Sequence, residues 1–197
     1  MKRLFMNTLV LALVCAVSVA DVGVGEVNPF TASSVHQDGL VPELAFDGNP
    51  QTRWASKVGG QDEWLQVDFG KRVHISSLCI SWEAAHALDY DVQVSDDGAN
   101  WRDIHHQTDG KGGREELTNL QGEGRWLRIL CHKPNQFNLY SIWEVSFADP
   151  EPTEALNEAR GRAEAARLEA SRAARQRLRD ALRESGADEI VFATRPM

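Results

Sequence analysis

The string Leu44-Ala-Phe-Asp-Gly-Asn-Pro-Gln-Thr-Arg-Trp54 brings several oxygen-bearing groups close together along the chain. Asp47 is followed by Gly48 and Asn49, a combination that favours a tight turn with converging carbonyl groups. Thr52 adds a hydroxyl three residues later. Mixed backbone and side-chain oxygens are what a hard cation such as calcium prefers, although the alternating acidic positions and terminal glutamate of an EF-hand loop are missing. On this string alone, a cation site and an ordinary turn both remain open.

The residue patterns of common hydrolytic and phosphate-binding sites are missing from the sequence. It contains neither Gly-x-Ser-x-Gly nor His-Glu-x-x-His. His105 and His106 are consecutive, so on a strand their rings point to opposite faces and cannot chelate one ion. Residues 110–113 read Gly-Lys-Gly-Gly and lack the serine or threonine that follows the lysine of a phosphate loop. The sequence therefore predicts a protein that binds a ligand and is not an enzyme.

Short apolar runs separated by turn residues extend over residues 27–148 and must position these groups. Residues 64–69 alternate with a period of two, and we assign their even-numbered members to the inner face. Residues 90–94 alternate in the same way, and Asp97-Gly98 after them provides a hairpin turn. All six tryptophans fall in this segment, where they supply apolar area to bury. The pattern predicts an all-β, antiparallel sandwich.

The first twenty residues have a different composition. Lys2 and Arg3 precede an apolar stretch that ends at small residues, which is typical of a secretory signal peptide over residues 1–20. Cleavage after Ala20 is favoured over lipid anchoring at Cys15, because Val14 does not fit the usual lipidation box. No other apolar run is long enough to span a bilayer. We therefore expect export to the periplasm, the cell surface or the extracellular space.

The sequence changes again after the predicted sandwich. A proline-containing linker at residues 149–152 precedes residues 153–186, which are rich in Ala, Arg, Glu and Leu and predict a helix of about 50 Å. Its alanine stripe makes a poor heptad, so a solvated spacer and a coiled-coil or docking helix both remain open. Residues 187–197 are typical of the first strand of a further domain, with a strand docked on the sandwich as the alternative.

Charge and cysteine content restrict the partners. The chain has a net charge of −8, and residues 21–150 contain 20 acidic and 10 basic side chains. Because nucleic acids and anionic membranes need a basic footprint, this segment argues against both and suits a cation or a neutral or basic ligand. Cys79 and Cys131 lie in apolar runs, where a disulfide and two buried thiols are equally compatible with the sequence.

Five strings occur in order along the predicted sandwich: residues 44–54, Trp64-Leu-Gln-Val-Asp-Phe-Gly70, Ser81-Trp-Glu83, residues 90–98, and Tyr140-Ser-Ile-Trp-Glu-Val145. Together they closely resemble the factor V/VIII type C (discoidin) domain, in the bacterial branch called carbohydrate-binding module family 32. The resemblance covers essentially the whole sandwich. It implies a galactose-binding-like jelly roll of about eight strands, followed here by the long C-terminal helix.

The resemblance also implies a structural calcium ion near the Asp-Gly-Asn turn. Its ligands would be the carbonyls of Leu44 and Asn49, the carboxylates of Asp47 and Glu144, and Thr52. Two carboxylates supply the charge expected of a stabilising site. The cysteine pair that brackets the domain in animal members is missing, as in the bacterial branch.

Loops at one end of the sandwich bind the ligand in this family, and the matching positions here are His36, Arg53, Glu83 and Tyr140. Sugar recognition needs a ring to stack on and charged groups that fix hydroxyl orientation. The alternative is structural, with an Arg53–Glu83 ion pair and Tyr140 in the core. His36 stands where glucan- and chitosan-binding relatives often carry an acidic residue, which disfavours a cationic sugar.

These features imply a non-catalytic, calcium-stabilised carbohydrate-binding module of an exported protein, with a glycan or polysaccharide as partner. Two alternatives remain open: a protein–protein or cell-surface adhesion module on the same fold, and the targeting module of a longer secreted enzyme. The C-terminal helix is the place where a protein partner would bind.

Overall fold

A computed structural model describes residues 28–185 of the chain, so the predicted signal peptide at residues 1–20 and the tail at residues 187–197 lie outside the described residues. In chain order the elements are β1 (Phe30–Ala32), a 3-10 helix (Pro42–Ala45), β2 (Trp54–Ala55), β3 (Glu63–Trp82), β4 (Ala87–Ser95), β5 (Arg102–Thr108), β6 (Arg114–Pro134), β7 (Ser141–Ser146) and α1 (Pro150–Glu184).

All the strand pairs are antiparallel, and they follow the order β2-β7-β3-β6-β4-β5, with β1 paired to β3. The β3–β6 pair changes register after Asp68 and after Ile75. One half of this pair lies between β1 and β4, and the other half lies beside β7. The strands thus form two layers, and the predicted jelly-roll sandwich is confirmed. Within residues 28–185 the structure has seven strands, where the resemblance implied eight, and β3 and β6 each continue through the register shifts of their pair as one long strand.

The core lies between the two layers and is rich in aromatic side chains. Phe30 and Phe46 stack with ring centroids 5.3 Å apart, which joins β1 to the end of the 3-10 helix. Glu115 accepts hydrogen bonds from the Tyr90 hydroxyl at 2.6 Å and from the Trp82 indole N–H at 3.0 Å. The polar atoms of these two core aromatics are therefore paired, as burial requires.

The inner and outer faces of β3 are the reverse of our assignment. Leu65, Val67 and Phe69 are fully buried in the core, whereas the even-numbered positions bear the polar groups. Asp68 is also buried, but its carboxylate accepts two hydrogen bonds from the Arg125 guanidinium, at 2.6 and 2.7 Å. The purely apolar set occupies the core because it has no polar atom to satisfy there.

Helix α1 begins at Pro150, so residues 150–152 form its first turn and the predicted linker is wrong. The preceding residue, Asp149, is fixed to the sandwich, since its carboxylate accepts the backbone N–H groups of Ser76 and Ser77 at 2.9 and 3.1 Å. This contact leaves no free segment between the sandwich and the helix. The helix ends at Glu184, close to the predicted end.

The first half of α1 packs on β3, and the second half is exposed to solvent. Leu168 and Leu178 are 50% and 58% exposed. The first half of α1 is therefore a docking helix, and the second half is a solvated helix. No helix within residues 28–185 is long and apolar enough to cross a membrane. The buried face consists of mostly small side chains that allow close approach: Pro152, Ala155, Leu156, Ala159 and Ala163.

Both described cysteines are buried free thiols. Cys79 lies opposite Glu116 in the β3–β6 register, while Cys131 lies opposite Glu63 near the other end of that pair. Because the two residues occupy different ends of the long strand pair, the disulfide alternative is wrong.

Candidate functional site

The turn at Asp47, Gly48 and Asn49 connects the 3-10 helix to β2 and is fixed by local hydrogen bonds. Gly48 has φ of +78°, a conformation that favours glycine. The Asp47 carboxylate accepts the Asn49 N–H at 2.8 Å and the Thr52 hydroxyl at 2.7 Å. The Asn49 carbonyl accepts the Thr52 N–H at 3.2 Å. These bonds bring the oxygens of three predicted calcium ligands together.

Glu144 reaches the same turn from β7. Its Oε2 accepts the Gly48 N–H at 2.9 Å. The pKa of Glu144 is raised to about 7, chiefly because the side chain is buried; the Gly48 N–H and the Arg160 guanidinium lower the pKa, and the negative charge of Asp47 adds to the rise. The two carboxylates are thus held close together, with one of them largely shielded from water.

The residues at this turn fit calcium. Within residues 28–185, no group of three or more His, Cys, Asp or Glu side chains is placed to hold a metal ion, so a cation here would depend on two carboxylates with hydroxyl and backbone oxygens. That donor set suits a hard cation, which would also relieve the repulsion between the carboxylates. Leu44, the fifth predicted ligand, lies in the 3-10 helix just before the turn.

Three of the four predicted sugar-binding residues meet around Ser141, the first residue of β7. The Ser141 hydroxyl accepts an Arg53 N–H at 2.7 Å, and the Ser141 carbonyl accepts the Glu83 N–H at 3.0 Å. Ala55 pairs with Ser141 across the β2–β7 ladder, and the Ala55 carbonyl accepts the His36 N–H at 2.8 Å. The fold therefore brings His36, Arg53 and Glu83 to one end of the sandwich.

In the described part of the chain, the side chains of Arg53 and Glu83 do not form the ion pair that we considered as an alternative. The Arg53 guanidinium lies over the Trp143 ring, 5.3 Å from its centroid. The Glu83 carboxylate accepts the Ala85 N–H at 2.9 Å. Both side chains are partly exposed, and His36 is exposed. All three keep polar atoms at the surface.

Tyr140 is fully buried, so its ring cannot stack on a sugar in this structure, and the sugar-contact prediction for it is wrong. Its backbone bonds to Ser56 at both polar groups, which directs the ring into the core. The core alternative for Tyr140 is correct. Alternation along β7 did not reveal this orientation, because Tyr140 lies just outside the strand.

Phe137 provides an exposed ring that the sequence analysis missed. It is 49% exposed in the loop between β6 and β7, and its N–H donates to the Asn135 side chain at 3.1 Å. The next residue, Asn138, accepts the Gly59 N–H at 2.8 Å, which ties this loop to the one containing Val58. The available signal was a single aromatic residue among polar neighbours.

Arg160 of α1 also reaches the site and was not predicted. Its Nε donates to the Phe46 carbonyl, beside the turn, and its guanidinium lies 3.5 Å from the Glu144 carboxylate. It is one of several arginines in a helix of repetitive composition, and nothing in the local sequence distinguishes it.

Comparison with known proteins places this geometry in a family. The family model described as F5/8 type C domain matches residues 29–145. A polysaccharide lyase 8 family protein of Enterococcus faecalis is 32% identical over 117 residues, which is 55% of this chain and 8% of that protein. The chain thus matches only a small part of that relative.

Solved structures of similar fold include modules that bind sugars. Chitosan-binding module 1 from a Paenibacillus sp. IK-5 chitosanase/glucanase is 34% identical, with a TM-score of 0.56 over 59% of this chain and 90% of that one. Module 2 of the same enzyme, in complex with chitotriose, is 30% identical, with a TM-score of 0.58 over 59% and 92%. A family 32 module from Clostridium perfringens, in complex with GalNAc-β-1,3-galactose, shares the fold at 21% identity and a TM-score of 0.54 over 59% and 91%. With a family model that matches more than half of its length, the chain belongs to the F5/8 type C domain family, and its sandwich has the fold of carbohydrate-binding modules.

Proposed function

We propose that this chain is a non-catalytic carbohydrate-binding module whose sugar site is the loop surface around Ser141. The observation that carries the proposal is that Arg53, Glu83 and His36 come from three separate segments to one end of the sandwich. Arg53 bonds to Ser141 through its side chain and Glu83 through its backbone, while the backbone of His36 bonds to Ala55, the ladder partner of Ser141. The similarity to two chitosan-binding modules at 30% identity or more supports a sugar as the ligand.

Each group has a role that follows from its chemistry. Arg53 donates hydrogen bonds to sugar hydroxyls, and its position is fixed beforehand by Ser141 and Trp143, which reduces the entropy lost on binding. Glu83 accepts hydrogen bonds from hydroxyls, and charge-assisted bonds of this kind give orientation as well as affinity. Phe137 supplies the apolar face on which a sugar ring stacks, in place of the buried Tyr140.

The preferred sugar is a neutral glycan. The net negative charge of residues 21–150 is compatible with neutral and basic ligands. The first-loop position is occupied by His36, however, and not by an acidic residue that would pair with an amino sugar. Chitotriose and a neutral trisaccharide of the same length are therefore compared at one ionic strength. Stronger binding of the neutral sugar is expected, and preference for chitotriose would overturn this assignment.

Isothermal titration with the best glycan from an array tests the sugar site. Arg53→Ala, Glu83→Ala and Phe137→Ala should each weaken binding by about tenfold or more, because each removes a central contact. Leu178→Ala is the matched control for an exposed apolar side chain, since Leu178 lies on the far part of α1. If the wild-type protein binds no glycan, the proposal is contradicted and a protein-binding adhesion module is favoured. If all four variants bind the glycan equally, the protein binds sugar, but the proposed site around Ser141 is wrong.

We also propose that calcium binds at Asp47, Asn49, Thr52 and Glu144, with the Leu44 carbonyl, and stabilises the turn beside β2. A ligand that binds only the folded state raises stability by about 2.7 kcal/mol at a hundredfold excess over the dissociation constant. Calcium should therefore raise the melting temperature of chelator-treated protein, and Asp47→Asn should abolish the effect. Magnesium at the same concentration is the control. An unchanged melting temperature with calcium or chelator refutes the calcium site.

The relative in Enterococcus faecalis favours one further role, in which the module directs a longer exported polysaccharide-active protein to its substrate. Residues 1–20 would then direct export, with cleavage after Ala20. Sequencing the gene beyond Met197 and determining the N-terminus of the secreted protein test both parts. A stop codon directly after Met197 would contradict the longer protein. An exported protein that still begins at Met1 would contradict cleavage after Ala20.

A further inference from the structure

Helix α1 is attached to the sandwich close to the proposed calcium site. Its buried face packs on β3, and polar contacts flank that face on both sides. Lys71 pairs with Glu158 at 2.9 Å, and Arg162 donates to the Asp68 carbonyl at 2.7 Å. Arg167 pairs with Glu43 of the 3-10 helix. The helix segment that contains Arg160 is therefore held in place from several directions.

Arg160 directs its guanidinium at the cation-binding turn. Nε donates to the Phe46 carbonyl, one residue before Asp47, and Nη2 lies 3.5 Å from Oε1 of Glu144. Nη1 donates to the Asn157 side chain at 2.9 Å, which fixes the guanidinium on the helix. A Cβ added at Gly48 would lie 3.8 Å from the guanidinium, so the turn and Arg160 are in close contact.

The two oxygens of Glu144 are divided between two partners. Oε2 accepts the Gly48 N–H, and Oε1 faces Arg160. The Glu144 side chain is only 15% exposed, so an unpaired carboxylate here would be costly. When both carboxylates are ionised, Arg160 supplies one positive charge against the two negative charges of Glu144 and Asp47. The turn can therefore fold without a metal ion, while a net negative charge remains to attract one.

We infer that Arg160 is a built-in counter-cation that competes with calcium for Glu144 and thereby couples the cation site to the docking of α1. The inference rests on the calcium site proposed above. A bound divalent cation would neutralise Glu144 and repel the guanidinium, so the Arg160 contact stabilises the calcium-free protein more than the calcium-bound protein. Because such coupling is reciprocal, calcium must weaken the attachment of α1 at Arg160 by the factor by which Arg160 weakens calcium binding.

Calcium titration of the full chain tests the inference, with Ca²⁺ alone as the ligand. Arg160→Gln should bind calcium about tenfold more tightly than the wild type, at the lower end of the usual coupling range because Arg160 is 33% exposed. Without calcium, the same variant should melt at a lower temperature. Arg172→Gln is the matched control, since Arg172 is an exposed arginine on the second half of α1, and it should change neither quantity.

A double-mutant cycle with Glu144→Gln assigns the effect to this contact. In the Glu144→Gln background, Arg160→Gln should alter stability and calcium affinity less than it does in the wild type, because only its contacts with Phe46 and Asn157 remain to be lost. Hydrogen exchange provides a readout of the helix itself: in the wild type, calcium should accelerate exchange around residue 160 and leave residues 152–156 unchanged. If Arg160→Gln does not fold, Arg160→Lys keeps the charge but cannot bridge both acceptors, and it should bind calcium more tightly by a smaller factor.

The possible outcomes separate the inference from the calcium site. Equal or weaker calcium binding by Arg160→Gln overturns the coupling and leaves the calcium site standing. No calcium binding by the wild type and by Arg160→Gln refutes the calcium site, and the coupling with it. Tighter binding by Arg160→Gln but not by Arg172→Gln, together with faster exchange at residue 160, establishes the coupling.

Discussion

Leu156→Ala tests whether α1 is part of the folded domain. Leu156 is 4% exposed and belongs to the hydrophobic core between α1 and the sandwich. The substitution removes three carbon atoms from that contact, which amounts to about 2.4 kcal/mol of transfer free energy at about 0.8 kcal/mol per methylene. The remaining cavity adds to this cost, so we expect the free energy of unfolding to fall by about 3 kcal/mol.

Urea unfolding of the full chain, followed by tryptophan fluorescence, measures this change. All six tryptophans lie in the sandwich, so the signal reports on the sandwich and not on the helix. Leu168→Ala and Leu178→Ala are matched controls on the same helix, at side chains that are 50% and 58% exposed, and each should cost less than about 0.5 kcal/mol. If Leu156→Ala leaves the midpoint of the fluorescence transition unchanged, the helix does not stabilise the sandwich and the domain ends near residue 148.

Three further predictions concern the sandwich itself. Arg125→Met should lower the free energy of unfolding by about 2 kcal/mol, because it leaves the buried Asp68 carboxylate without its cation, although the partial exposure of Arg125 moderates the cost; an unchanged melting temperature would contradict this. Burial lowers the pKa of His132, but ion pairs with two neighbouring aspartates outweigh this effect and raise the pKa. The contribution of His132 to protein stability is therefore complete below its ordinary pKa and is lost as the pH rises through the raised value. The difference in melting temperature between wild type and His132→Gln should therefore shrink as the pH increases, and a difference that grows would show the sign to be wrong. Alkylation in denaturant without reductant should label both Cys79 and Cys131, as mass spectrometry of the peptides can show, and an unlabelled pair would indicate a disulfide.

The sandwich and its turns could be predicted because their signals are local in the sequence. The Asp-Gly-Asn turn needs a glycine with positive φ and an Asp that bonds two residues ahead, and both requirements are visible within a few residues. Alternation in β3 revealed a strand but not which face is inside. That choice depends on which set of side chains can be buried without unpaired polar atoms, as the apolar Leu65, Val67 and Phe69 can.

The features that the sequence could not reveal depend on contacts between distant segments. Arg160 meets a carbonyl more than a hundred residues earlier in the chain, and its neighbours in sequence have the same composition as the exposed end of the helix. Tyr140 is turned inward by its backbone bonds to Ser56, on another loop. Neither contact has a local sequence pattern. Only the assembled fold shows that Arg160 lies beside Glu144 and that Tyr140 is buried away from the proposed sugar site.

The proposed cation site and the proposed sugar site share two stretches of backbone. Thr52 of the turn is followed directly by Arg53, and Trp143, which lies under the Arg53 guanidinium, is followed directly by Glu144. A cation at Glu144 would therefore order the backbone that holds Arg53 without touching the sugar. It follows that a loss of sugar affinity on chelation cannot be taken as evidence for a sugar–calcium contact. Arg53→Ala separates the two mechanisms, because ordering by calcium should improve sugar binding only while Arg53 is present.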